Sequence, residues 1–213
     1  MSRPVRADVA FDPLGDGAAR FALPEGTDPR VALEALRECA GVVDAIVCET
    51  HACVYFDEPP AWLTTDGAAR ARLMASIARA SATLATSPRV HAVRVRYDGE
   101  DLGVVAARAS LSALDVARVH ASREYVVRMI GFQPGFAYLG DVDAAIATPR
   151  RASPRTRVPA GAVAIGGRYT GVYPFPSPGG WNLIGTTLDF AAFEPARGAT
   201  FALGDRVRFE IAT

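Results

Sequence analysis

Apolar and polar positions change rhythm along this chain. Residues 5–11 read as a strand, and Pro13-Leu14-Gly15-Asp16-Gly17 as a turn into a second. Asp28-Pro29 opens a helix, because aspartate at the cap and proline in the first turn both suit amides that lack an internal partner. Val31, Ala35, Leu36 and Cys39 share its apolar stripe, and Gly41 stops it. Residues 42–48 and 52–56 are β-branched or aromatic and read as paired strands. A second helix follows Asp66, with Leu73, Ile77, Ala80 and Leu84 at i, i+4, i+7 and i+11. Ser87-Pro88 breaks it, and residues 90–97 alternate as a strand. The order ββαββαβ predicts a small α/β sandwich of ferredoxin-like type.

Two short helices are predicted next, over residues 101–109 and 112–120, the second opened by Ser112 with Asp115 three residues on. They do not read as a helix-turn-helix, since the second lacks polar base-reading side chains. After Tyr125 the composition shifts. Residues 131–185 hold 10 of the 19 glycines and 7 of the 15 prolines, which excludes long helices there. Short apolar runs between these breakers, such as Ala162-Val163-Ala164-Ile165, favour a compact β-barrel with shaped loops. A last strand over 205–211 turns Val207, Phe209 and Ile211 inward. The predicted fold class is α+β: a small ferredoxin-like α/β N-terminal domain over residues 1–88, then a β-barrel domain over 89–213.

Composition narrows the function. The 23 basic residues balance 23 acidic ones, which removes the electrostatic case for a nucleic-acid binder. All the basic residues are arginine, so a Schiff-base lysine, a P-loop lysine and a biotinylated lysine are impossible in this chain. Cys39, Cys48 and Cys53 form neither a zinc set nor a disulfide framework. With no apolar leader at Met1-Ser2-Arg3-Pro4 and no run near the roughly 18 apolar residues of a membrane span, a cytoplasmic protein is expected.

Chemistry concentrates late in the chain. Residues 144–188 contain no acid and five arginines, Arg150, Arg151, Arg155, Arg157 and Arg168. Guanidinium forks suit carboxylate or phosphate, so the block reads as an anion-binding wall. The alternative is pairing with acids elsewhere, such as Asp141, Asp143 or Glu194. The run Gly131-Phe132-Gln133-Pro134-Gly135-Phe136-Ala137-Tyr138-Leu139-Gly140 lets backbone approach a ligand. A second run, Thr170-Gly171-Val172-Tyr173-Pro174-Phe175-Pro176-Ser177-Pro178-Gly179-Gly180-Trp181, shapes a rigid loop. Phe132, Phe136 and Trp181 are expected in the core. Arg150 and Arg155 are the candidate anion ligands, with Tyr138, Thr170 and Ser177 orienting the guest. No HExxH, GxSxG or P-loop motif occurs, and His51, His91 and His120 show no ligand spacing, so no metal site is expected. His91 reads as structural. The arginine block holds no general base, so a base comes from His120, from the other domain or from another polypeptide.

These two runs, with Pro149-Arg150-Arg151-Ala152-Ser153-Pro154-Arg155 and Val158-Pro159-Ala160-Gly161 between them, resemble the family of the 5-oxoprolinase B subunit, the kinase inhibitor KipI and allophanate hydrolase subunit 1. The resemblance covers most of the chain and is closest from Ser112 to Gly185. It implies that the barrel is cyclophilin-like. It also implies two partners, the homologous C subunit of 5-oxoprolinase and its catalytic A subunit. Such a complex uses ATP to open the cyclic amide of 5-oxoproline to glutamate, and this chain is expected to be inactive alone. Two alternatives follow from the same resemblance: part of a biotin-dependent, urea-type carboxyltransferase, or a histidine-kinase inhibitor of KipI type. The chain departs from the family pattern at Gly17, at Ala162, where serine is frequent, and at Thr186-Thr187-Leu188.

Overall fold

A computed structural model describes residues 11–57, 74–79 and 87–212. The strand predicted over residues 5–11 lies outside the described residues except for Phe11. So does most of the predicted second helix, of which residues 74–79 are helical and bury Ile77. The chain divides into two compact units, Met1–Ser87 and Pro88–Thr213.

The first unit builds strands β1 (Phe11–Leu14) and β2 (Ala18–Ala22), helix α1 (Pro29–Arg37), and strands β3 (Val42–Val47) and β4 (His51–Phe56). The Asp28 carboxylate accepts from the Arg30 amide at 2.9 Å and so caps α1, with Pro29 in its first turn. The sheet order is β1-β2-β4-β3, with β4 antiparallel to both neighbours. β2, α1 and β3 therefore form a split β-α-β unit with β4 inserted between the two strands. Val31, Ala32, Ala35 and Leu36 of α1 are buried, and alternation along the sheet buries Ala19, Phe21, Ala45, Val47, Ala52, Val54 and Phe56. Cys39 lies beyond the helix end, where its thiol donates to the Ala35 carbonyl; Ala32 takes its place in the stripe.

The final strand of the expected ββαββαβ pattern does not join this sheet. β5 (Val90–Arg96) pairs in parallel with β15 (Arg206–Ile211) and antiparallel with β12 (Asn182–Leu188) in the second unit. Alternation says which side chains of a strand are buried, here Val93 and Val95, and leaves open which strands it pairs with.

The second unit continues with α2 (Leu102–Ala109), α3 (Ala113–Ala121), β6 (Glu124–Ile130), β7 (Ala137–Gly140), β8 (Arg155–Val158), β9 (Ala162–Gly166), β10 (Tyr169–Val172) and β11 (Ser177–Gly179). Two short strands, β13 (Phe193–Glu194) and β14 (Gly198–Ala199), precede β15. Seven strands close a barrel in the order β10-β7-β6-β15-β5-β12-β9, while β8 and β11 pair as a separate ribbon. Closure leaves the barrel no unpaired edge. Val93, Val95, Tyr125, Val127, Leu139, Val163, Ile165, Val172, Ile184, Val207 and Phe209 belong to one buried core with Val105 of α2 and Val116 of α3. Ile211, expected to follow Val207 and Phe209 inward, ends its strand and is exposed.

β9 is buried at every position. Val163 and Ile165 join the barrel core, while Ala162 and Ala164 join a second cluster with Phe136, Val158, Tyr173, Trp181 and Leu183. A strand covered on both faces reads as an unbroken apolar run, which is the pattern of residues 162–165. Ser112 caps α3, its hydroxyl accepting from the Asp115 amide at 3.1 Å. Ser112→Ala is expected to cost about 1 kcal/mol and to lower the midpoint of a thermal melt by about 2–4 °C. No helix among the described residues is long and apolar enough to cross a membrane.

Candidate functional site

The second cluster carries the site. Its aromatic rings are set edge to face: Phe136 packs on Tyr138 at 5.1 Å, Tyr173 at 5.3 Å and Trp181 at 5.4 Å between centroids. Tyr138 also meets Trp181 at 5.5 Å and Tyr169 at 5.8 Å. β9 provides a low floor for these rings. A Cβ at Gly166 would overlap the Trp181 indole, so only glycine allows this packing. Phe136 and Trp181 are buried as expected, but Phe132 is 60% exposed, an overturned expectation. Its φ of 74° puts a bulky residue in the left-handed region and holds its ring at the loop tip, against Phe136 and Tyr173.

The arginines divide into two groups. Arg151 Nη1 and Arg155 Nη2 both donate to Asp101 Oδ1 at 2.8 Å, and Arg155 also donates through Nε and Nη2 to Glu100 at 3.2 and 3.1 Å. Arg168 Nε donates to Asp141 at 2.6 Å, with its guanidinium over the Tyr169 ring. For these three, internal pairing holds, mostly with acids other than those the sequence suggested. Arg150 and Arg157 make no ion pair among the described residues. Arg150 instead lies over the Trp181 ring, 5.8 Å from its centroid. Burial pushes the Asp101 carboxyl up, but bonds from Arg155 and the Leu183 amide, with the nearby Arg151 charge, outweigh that and hold it below the usual carboxylate range.

Tyr173 links the aromatic and charged parts. Burial raises its hydroxyl's pKa, while the Trp181 amide hydrogen bond and the Arg150 and Arg155 charges pull it down. A Cβ at Gly179 would overlap that hydroxyl, which places the Tyr173 tip beneath β11. In the ribbon Ser177 pairs with Val158 and Gly179 with Arg155. Gln133 Nε2, Arg155 Nη1 and Ser177 Oγ are buried with no hydrogen-bond partner among the described residues. Buried polar groups are nearly always bonded, so these three atoms single out the region as the candidate site.

Of the predicted site residues, Arg150, Arg155, Tyr138 and Ser177 all border this cluster. His120 and Thr170 do not, and their expected roles need correction. Alternation along β10 leaves Tyr169 in the outer ring row and turns Thr170 inward, where its hydroxyl donates to the Ala164 carbonyl at 3.0 Å and meets His120 Nε2 at 2.8 Å. His120 is fully buried, with Nδ1 2.7 Å from the Tyr97 hydroxyl, and burial pushes its pKa down to about 3. A general base must reach its substrate and titrate near the working pH, and full burial of His120 works against both. Its place at a helix end suggested an imidazole favoured in its charged form, but desolvation decides instead.

Asp101 and Gln133, which also lie at this candidate site, are not among the residues singled out from the sequence, and Tyr173 stays open there between packing and binding. Asp101 stands 50 residues before Arg151, outside the acid-free block, so only folding brings it there. Tyr173 and Gln133 lie inside the two glycine-proline runs, where chain pattern does not separate packing from binding. Among the described residues no group of three His, Cys, Asp or Glu side chains is placed to hold a metal ion.

The candidate site is thus an aromatic cluster on the outer face of a closed barrel, edged by guanidinium groups. The chain belongs to the family described as the carboxyltransferase domain, subdomain C and D, whose model matches residues 11–203. It is 56% identical over 113 residues to the B subunit of 5-oxoprolinase from Escherichia coli O157:H7, an alignment covering 52% of this chain and 51% of that protein. The matched stretch thus spans about half the length of that curated relative. The fold is similar to that of TTHA0988, with a TM-score of 0.75 and 37% identity over 92% of this chain and 40% of that one. It also resembles the urea amidolyase of K. lactis, with a TM-score of 0.65 at 16% identity over 96% of this chain and 15% of that one, a likeness of fold alone.

Proposed function

We propose that this chain is one subunit of a cytoplasmic, ATP-dependent 5-oxoprolinase, and that its barrel rim binds the carboxylate of 5-oxoproline. The name of the curated relative supports the assignment. The observation that carries the site reading is Arg150, an exposed guanidinium without a carboxylate partner, held over Trp181 beside the cluster that Tyr138 and Ser177 border. Asp101 and Glu100 hold Arg151 and Arg155, and Asp141 is shared by Arg168 and Arg128, so among the described residues Arg150 and Arg157 are the arginines of this block without a carboxylate partner. That pair suits a single carboxylate better than a triphosphate. With no lysine and no phosphate loop in the chain, the nucleotide is assigned to the catalytic A subunit. There ATP would activate an otherwise stable cyclic amide. This chain's part is to bind and orient the acid. The rim is closed by the homologous C subunit, and the base comes from a partner.

The family description favours a second reading, a carboxyltransferase component, which needs biotin carried on another protein because this chain has no lysine. Mixing the purified chain with the A and C subunits, L-5-oxoproline and ATP separates the two. Glutamate release that stops when this chain is left out is the expected result. Release that is indifferent to this chain, or carboxyl transfer from a biotin carrier that requires this chain, overturns the proposal.

A further inference from the structure

We infer that Asp101 is a positioning residue, fixing the guanidiniums of Arg151 and Arg155 so that the unused donors of Arg155 face the guest. The inference rests on the anion site proposed above.

Asp101 breaks a local rule. It occupies the N-cap position of α2, where an aspartate normally accepts from amides of the first turn. Ser112 does this for α3, but the Asp101 side chain makes no such bond. Its carboxylate is turned away from its own helix. Oδ2 accepts from the Leu183 amide at 2.7 Å, and the Asp101 amide donates back to the Leu183 carbonyl at 2.9 Å. Oδ1 takes one N–H from Arg151 and one from Arg155. A helix end forgoes its cap, and a carboxylate only 3% exposed is spent on joining two arginines. Departures of this kind concentrate at functional sites.

The geometry says what is fixed. A guanidinium is planar, so holding two of its nitrogens sets the direction of the third. Glu100 holds Arg155 Nε and Nη2, and Asp101 holds Nη2 from the buried side. Nη1 is then aimed by the other two, and it makes no hydrogen bond among the described residues. The same guanidinium lies near enough to the Tyr173 hydroxyl for its charge to help pull that group's pKa down. Gly99 makes the approach possible, since a Cβ there would overlap the Leu183 carbonyl.

A mere counter-ion would act with the opposite sign. Removing one negative charge from an anion site raises its positive potential and tightens anion binding. Removing a positioning group releases the arginines and weakens binding despite that gain. The test measures, by titration calorimetry on the assembled complex, binding of L-5-oxoproline and of its neutral amide. Asp101→Asn keeps the size and a carbonyl acceptor for Leu183 while losing the charge. The expected result is at least tenfold weaker binding of the acid, with binding of the amide within twofold of wild type. Unchanged or tighter binding of the acid overturns the inference in favour of a counter-ion, and equal losses for both probes overturn it in favour of a structural role. Wild-type complex that binds neither probe removes the site reading itself, a failure distinct from the other two. Should Asp101→Asn not fold, Glu100→Gln, on the exposed side of the same guanidinium, gives the same contrast. Weaker acid binding then supports a fixed guanidinium plane, and tighter binding overturns it.

Discussion

Arg150→Ala is expected to fold as the wild type does and to raise the KM of the assembled enzyme for 5-oxoproline by about tenfold to a hundredfold. Arg150 is exposed and makes no ion pair among the described residues, so its removal leaves no buried carboxylate behind. What is lost inside the chain is its contact with the Trp181 face, worth about 0.5–1 kcal/mol at an exposed site. What is lost to the guest is a charge-assisted hydrogen bond of about 1.5–3 kcal/mol, which sets the size of the KM change. Arg155 is the poorer residue to remove, because Asp101 would lose one of its two guanidiniums and the fold would be perturbed with the site. Arg150→Lys keeps the charge and loses the planar fork, so it should recover only part of the affinity. A KM for Arg150→Ala equal to that of the wild type, with an unchanged melting midpoint, would remove Arg150 from the site.

The elements whose signal is local were readable from the chain. Asp28-Pro29 and Ser112 mark helix starts because a cap is a contact between near neighbours. Residues 162–165 mark a strand covered on both faces because each face must be apolar. The readings that failed depended on partners far away in sequence. The strand over residues 90–96 alternates as an edge-sheet strand and a barrel strand both would, and only its pairing with residues 206–211 decides. The arginine block reads as an open wall because Glu100 and Asp101 lie outside it, yet folding brings both onto Arg155. Of the candidate site, Tyr138 and Ser177 lie within the two rigid runs and Arg150 and Arg155 between them, and all four reach one cluster. His120 was chosen for its chemistry, and its burial depends on α3 packing over the barrel, which residue type does not reveal.

Between pH 7 and about 5, above the range where the paired carboxylates take up protons, the pH dependence of stability should be dominated by His120, and His120→Phe should flatten it. The Thr170 hydroxyl donates to the Ala164 carbonyl, so it must accept from His120 Nε2–H, which leaves Nδ1 to accept from the Tyr97 hydroxyl. The ring is therefore neutral, and it packs against Phe209 at 4.6 Å and Tyr125 at 5.3 Å. Burial pushes its folded pKa to about 3, whereas an unfolded histidine titrates near 6.5. Below that value the unfolded chain takes up a proton that the folded chain refuses. The stabilisation is thus complete above pH of about 6.5 and is lost toward pH 3, at up to about 1.4 kcal/mol per pH unit. Phenylalanine removes this loss, because it cannot titrate. It also leaves the Tyr97 hydroxyl without its acceptor and Thr170 without its donor, at about 1–3 kcal/mol for each buried group left unpaired. His120→Phe should therefore be less stable than wild type at pH 7 by about 2–6 kcal/mol, with the difference shrinking by about 3 kcal/mol on going to pH 4. Urea unfolding at pH 4, 5, 6 and 7 measures both lines. Parallel profiles for the two proteins would mean that His120 is hydrated or charged in the native state, and a catalytic role for it would then have to be reopened.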